Sequence, residues 1–210
     1  MKTNGKFITI EGIEGAGKST AVNFIREWFE SKKIHYILTR EPGGTEIAEE
    51  IREIVLRHHQ EKLTAQAEVL LFFAGRSQNI HQMILPALQK GEWVLCDRFV
   101  DASFAYQGGG RQLPIEFLIC LEKYVLNCLH PDLTLLMDVP VELGLSRIKK
   151  RGKEDRIESE KIEFFERVRA MYLKRASQYP ERYRIIDANK TIDEVKKNIL
   201  EILDNFFMIS

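Results

Sequence analysis

The chain is predicted to fold as an α/β protein, a five-stranded parallel sheet with helices on both faces. Three observations carry that expectation. Five short runs rich in β-branched and apolar residues (6–11, 34–39, 93–97, 133–138 and 183–187) are separated by stretches with apolar residues at helical spacing. The runs are apolar nearly throughout, as strands covered on both faces must be. A glycine-rich turn closes the first run, where open parallel sheets place their ligands.

The elements follow in order. Residues 19–30 carry Ala21, Ile25 and Trp28 on one helical stripe, and 34–39 is the next strand, closed by Glu41-Pro42-Gly43-Gly44. Residues 45–57 line up Ile47, Ile51, Ile54 and Val55, while 64–89 reads as a longer helix that Pro86 should kink or split. After the strand at 93–97 come a helix at 114–129, a strand at 133–138 and a helix at 141–150. A long helix from about 159 to 178 precedes the last strand, and Thr191 with Glu194 three residues on forms a capping-box signal for the final helix.

Composition bounds the function. The 210 residues hold 31 Lys+Arg against 31 Asp+Glu, and zero net charge argues against a protein that coats nucleic acid. The longest apolar run, 69–74, is too short to span a bilayer, and no leader-like pattern precedes the first strand. Three cysteines (Cys96, Cys120, Cys128) without metal-ligand spacing read as reduced packing residues. A single domain in the cytoplasm, with neither a nucleic-acid nor a membrane partner, is the expectation.

Gly12 to Ser19 reads G-I-E-G-A-G-K-S, the G-x-x-x-x-G-K-[ST] pattern, set between a predicted strand and a predicted helix. Gly12 and Gly17 let the backbone N–H groups converge on a phosphate, and the helix N-terminus adds its partial positive charge. Lys18 supplies a cation for the outer phosphates and Ser19 a hydroxyl for Mg²⁺. A purine nucleoside triphosphate is the expected ligand. A GTPase-type switch is disfavoured, because the chain has no D-x-x-G and its N-K-T-I-D at 189–193 sets the carboxylate one residue late.

Asp97-Arg98 at one strand end offers a carboxylate for the metal or the attacking oxygen and a fork for phosphate, although adjacent opposite charges there also occur as plain surface pairs. Arg40 ends another strand, and together with Lys18 the two arginines suggest that a donor and an acceptor phosphate meet. Phe72 and Arg76, four apart on a helix, suit a flat base with carbonyl acceptors, thymine or uracil rather than cytosine. Phe72 alone reads more readily as core. Between Arg147 and Arg156 lie six cations and two acids, either a solvated helix end or a basic lid at about 147–158 hinged at Gly152.

Taken together, residues 7–20, T-R-E-P-G-G-T at 39–45, Phe72 to Arg76, D-R-F-V-D-A-S-F-A-Y-Q-G-G-G-R at 97–111 and D-R-I-E at 155–158 resemble the bacterial thymidylate kinases over essentially the whole chain. The resemblance implies a P-loop, nucleoside monophosphate kinase-like fold and Mg²⁺-dependent transfer of the ATP γ-phosphoryl group to dTMP. ATP would lie on Gly12, Ile13, Glu14, Gly15, Ala16, Gly17, Lys18, Ser19 and Thr20, with Arg147 nearer adenine. Arg40 and Arg98 would hold the dTMP phosphate, Glu14 the 3′-OH, Phe72 and Arg76 the base. Ser103, Tyr106 and Gln107, with Tyr172 as a further addition, would complete that pocket. Ser19 and Asp97 would hold Mg²⁺. Gly15 stands where some relatives carry a catalytic arginine, so this chain resembles the type whose arginine lies in the lid, with Arg151 and Arg156 as candidates beside Lys18 and Asp97. The resemblance also implies a homodimer, consistent with the broadly apolar helices at 115–129 and 69–74. A deoxynucleoside kinase and a nucleotide-dependent switch are the rival readings.

Overall fold

The computed structural model describes residues 5–149, 152 and 155–209. Five strands, β1 (Phe7–Glu11), β2 (Tyr36–Arg40), β3 (Trp93–Asp97), β4 (Leu133–Asp138) and β5 (Tyr183–Asp187), form one sheet in the order β2-β3-β1-β4-β5. Every pairing is parallel, as the helical crossovers require. β1 lies at the centre, where the strand order reverses, so the glycine-rich turn that follows it opens into the crevice between neighbouring crossovers.

Alternation along β1 divides the core into two layers. Ile8 and Ile10 pack with Leu95 and Trp93 against α1 (Lys18–Ser31) and the later α9 (Ile192–Ile209). Phe7 faces the other way, with Val94 and Cys96, toward α3 (Ala65–Asn79) and α6 (Ile115–Leu126). Thr9 and Glu11 share that second side, and their polar atoms are satisfied there by Thr134 and Tyr172. The remaining helices are α2 (Glu46–Leu56), α4 (Leu85–Gln89), α5 (Val100–Ser103), α7 (Val141–Lys149) and α8 (Ile162–Gln178).

Most boundaries lie within two or three residues of those expected, and the departures have local causes. Thr45 caps α2 through the Ala48 N–H, and Thr191 and Glu194 exchange the reciprocal bonds of a capping box. The helix across 64–89 is not broken at Pro86. It widens into a π-helical turn at Ile80–Ile84 and continues as α4, because Pro86 has no N–H and its ring crowds the preceding turn. α6 stops at Leu126, where Asn127 and Cys128 both take positive φ. α8 starts at Ile162, later than expected, since Asp155 Oδ1 accepts the N–H groups of Ile157 and Glu158 and holds the preceding segment in turns.

Residues 100–110, part of a motif that the sequence reading assigns to no element, are helical. α5 runs straight into a second π-helical segment, Phe104–Gly110. Its glycines let α8 come close: a β-carbon on Gly109 would stand 2.8 Å from the Arg167 carbonyl oxygen, and one on Gly110 would overlap the Phe164 ring. Lys150, Arg151, Lys153 and Glu154, in the expected lid, lie outside the described residues.

Candidate active site

The turn from Gly12 to Gly17 joins β1 to the 14-residue α1, and three of its residues, Gly12, Gly15 and Gly17, take positive φ. Ile13 and Ala16 are buried in the core, which anchors the turn. Glu14, Gly15, Gly17, Lys18, Ser19 and Thr20 line a cavity of about 400 Å³. The Lys18 ammonium folds back onto the carbonyl oxygens of Gly12 and Ile13, at 3.2 and 2.8 Å. Burial, and then the like charge of Arg98, bring its pKa down to about 8. A β-carbon at Gly15 would overlap the carbonyl oxygen of Gly144 on α7 and lie 2.9 Å from its Cα, so no side chain fits there. Arg147, one turn further along α7, donates to the carbonyl oxygens of Gly15 and Ala188 and also lines the cavity.

Arg98 stands where β3 ends and holds a strained φ of 69°. Its guanidinium donates to the Gly12 carbonyl at 2.8 Å, to Glu14 Oε1 at 2.8 Å and to the Tyr172 hydroxyl at 3.2 Å. It also lies 4.9 Å above the centre of the Tyr106 ring. Behind it, Glu11 accepts from the Phe99 N–H and the Tyr172 hydroxyl. Burial, and next the charge of Asp101, raise the Glu11 carboxyl to about 8. Asp97 beside it has one buried carboxylate oxygen, Oδ1, without a hydrogen-bond partner among the described residues. Asp97 and Ser19 both line a second groove on the α1 side of the sheet.

At the other end of the cavity stand Phe72, Arg76, Ser103, Tyr106 and Gln107. Arg76 has 1% of its side chain exposed, and three of its five N–H groups are engaged by Glu41 (2.7 Å), Ser103 (3.0 Å) and the Phe99 carbonyl (3.0 Å). The Tyr106 hydroxyl donates to Glu14, and the Gln107 amide to Glu68. Tyr106 and Gln107, three and four residues on from Ser103, share the wall that Ser103 occupies.

Two of the arginines expected at the cavity lie elsewhere. Strand alternation sends Thr39 toward α3, where it bonds Asn79, and therefore sends Arg40 to the α1 side. There its side chain is 54% exposed and paired with Glu49 at 3.0 Å. Arg52 on α2 lines the main cavity instead, held by the Pro42 carbonyl at 2.8 Å. Its sequence signal was its place between the buried Ala48 and Val55, a cation on the covered stripe. Arg156 also points away: it donates to the Val55 carbonyl and to Glu68, and its N–H bonds Leu56. Tyr172 sits behind Arg98 rather than in the cavity wall. Arg151 is outside the described residues. Glu11, Glu41 and Glu68, unsuspected from sequence, are the buried carboxylates that hold Tyr172, Arg76 and Gln107 in place.

Known proteins with this sequence pattern point one way. The family model described as thymidylate kinase matches residues 10–199. The chain is 53% identical over 199 residues to the thymidylate kinase of Ruthia magnifica, covering 95% of this chain and 97% of that protein. It is 50% identical over 202 residues to that of Neisseria gonorrhoeae, with 96% and 98% covered. With the thymidylate kinase of Ectopseudomonas mendocina it shares 52% identity over 199 residues, 95% of each chain. A glycine turn, a strand-end arginine and an aromatic–guanidinium wall opening on one cavity are thus set in a chain that belongs to the thymidylate kinase family.

Proposed function

We infer that this chain transfers the γ-phosphoryl group of ATP to the phosphate of dTMP, giving dTDP and ADP. One observation carries the reading: a single cavity runs from Gly17, Lys18 and Ser19 to Phe72 and Arg76, with Arg98 and Arg52 between the two ends. ATP binds with its phosphates on the Gly12–Thr20 turn and adenine toward Arg147. The dTMP base enters between Phe72 and Arg76, beside Ser103, Tyr106 and Gln107, and Glu14 takes its 3′-OH. Arg98 and Arg52 hold the acceptor phosphate between them, with Arg52 in the place that the resemblance gives to Arg40. Phosphoryl transfer asks little covalent work of a protein, so alignment of the two phosphates and neutralisation of their charge do most of the catalysis. Lys18 supplies a cation to the outer donor phosphates, and its depressed pKa marks a site that favours an anionic partner.

Mg²⁺ fits the donor set. Asp97 has a buried carboxylate oxygen without a partner among the described residues, and Ser19 lines the same groove. These two residues would hold the ion, which supplies charge neutralisation across the transferring phosphates. A basic lid over residues 147–158 closes the donor side. Gly15 cannot carry a side chain, which favours a lid arginine, with Arg151 as the candidate once Arg156 is engaged by Glu68.

The protein works as a homodimer in the cytoplasm. Ile47 and Ile54 on α2, Leu70 on α3, and Phe117 and Tyr124 on α6 leave apolar surface exposed, Tyr124 at 88%. Its cysteines are free, as suits a reducing compartment. No helix among the described residues is long and apolar enough to cross a membrane.

ADP release measured with dTMP, dUMP, thymidine and water as acceptors tests the reading. Turnover with dTMP and not with thymidine is expected. Preference for thymidine would make the protein a nucleoside kinase, and equal turnover without acceptor a switch. Two guanidiniums in mid-cavity favour an acceptor that already bears a phosphate.

A further inference from the structure

Glu68 lies on α3 with 1% exposure, and its two carboxylate oxygens take hydrogen bonds from three side chains. Oε1 accepts from Gln107 Nε2 at 2.9 Å and from Arg111 Nε at 3.1 Å. Oε2 accepts from Arg111 Nη2 at 3.1 Å and from Arg156 Nη2 at 2.7 Å. Burial alone would raise this carboxyl, but the hydrogen bonds and charge of Arg111, then the contacts of Gln107 and Arg156, outweigh it and hold the group below its ordinary range. An ionised carboxylate only accepts, so only the NH₂ end of the Gln107 amide can face it. Gln107 also lines the cavity beside Arg76 and Ser103, and the end of its amide left for that cavity is the carbonyl oxygen.

We propose that Glu68 is a positioning residue for base choice: by taking the NH₂ of Gln107 it turns the Gln107 carbonyl toward the base, where it accepts N3–H of thymine and opposes the lone pair on N3 of cytosine. The proposal rests on the thymidylate reading above. Thymine and uracil carry a proton on N3 and cytosine does not, so a fixed acceptor separates the two classes as a free amide, able to rotate by half a turn, cannot. Arg76 acts in parallel, because its donors meet O4 of thymine or the N4 amine of cytosine, itself a donor. A polar mismatch buried in a closed site is the strongest form of discrimination open to a protein.

The test uses the full chain and the ratio of kcat/KM for dTMP to that for dCMP. In Glu68→Gln the residue at 68 can donate as well as accept, the Gln107 amide loses its fixed orientation, and the ratio should fall by about tenfold or more. A merely structural role would lower both substrates together, so an unchanged ratio in a folded variant overturns the proposal. Because Glu68 also holds Arg111 and Arg156, a second measurement needs no variant. The 3-deaza analogue of dTMP, with C–H in place of N3–H, should compete with dTMP about tenfold less well on the wild-type protein. Equal competition overturns the proposal. Wild-type protein that fails to phosphorylate dTMP defeats the underlying reading, and the proposal with it, before either comparison is made.

Discussion

The backbones of Gly15 and Gly144 meet so closely that a β-carbon on the first would stand 2.9 Å from the Cα of the second and overlap its carbonyl oxygen. α7, which carries Arg147 and leads into the basic segment, is thereby seated directly on the phosphate turn. Gly15→Ala must both hold alanine at a φ of 71° and push α7 away. A loss of about 2 kcal/mol or more in urea unfolding is expected, with a raised KM for ATP. An unaltered KM for ATP would mean that the turn keeps its shape without α7.

Arg52 and Arg40 separate by function. Arg52→Ala should raise KM for dTMP by about tenfold or more while leaving KM for ATP unchanged, since it removes a charged hydrogen-bonding group from the acceptor end of the cavity. Arg40→Ala removes only an exposed pair with Glu49 and should change either KM by less than about threefold. Steady-state kinetics of the two variants side by side decide it, and the reverse ranking would return the phosphate to Arg40.

The pH profile follows from Lys18. Its folded pKa, about 8, lies below its ordinary 10.5, so the ammonium is lost earlier in the free enzyme than in the unfolded chain. Between those values the folded state binds fewer protons, and this group's contribution to stability rises with pH, while the charge needed for ATP falls away. kcat/KM for ATP should therefore decline above pH of about 8. Lys18→Ala should lose roughly 10²-fold in kcat and show no such decline.

Asp101 tests the scaffold rather than the chemistry. Arg175 and Arg182 both pair with this fully buried carboxylate, Arg182 also bonds Thr134, and Thr134 bonds Thr9 on the central strand. Burial by itself would raise the carboxyl, but the two guanidiniums overcome it and bring the pKa from 3.8 down to about 2. The stability this group adds is present above 3.8 and is lost as the pH falls toward 2. Asp101→Asn should lose about 3–5 kcal/mol at neutral pH, measured by urea unfolding, and flatten the acid limb of the stability curve.

The fold was legible where short-range pattern decides structure. β3, β4 and β5 begin and end where the apolar runs do; in β3 and β4 burial on both faces leaves little room for polar residues until the ladder stops, while β5, at the edge, exposes Arg184 and Ile185. The helix at 100–110 was hidden by Gly108, Gly109 and Gly110, which give no helical periodicity but serve the close approach of α8. In the site, the phosphate turn could be read from eight consecutive residues, since its backbone does the binding. Arg40 misled because its position at a strand end does not say which face it takes. Glu68 gave no signal, because what makes it matter is Arg111 and Arg156, 43 and 88 residues away.

The widened turns at Phe104–Gly110 also set a limit on how this chain can be shortened. A π-helical turn holds one residue more than an ordinary one, and here such turns run past Gln107 on the cavity wall. Deleting one residue there would regularise the helix, yet it would swing everything downstream by about 100° and carry the amide off the wall. Length variation in this protein should therefore be tolerated at its surface connections and refused along these seven residues.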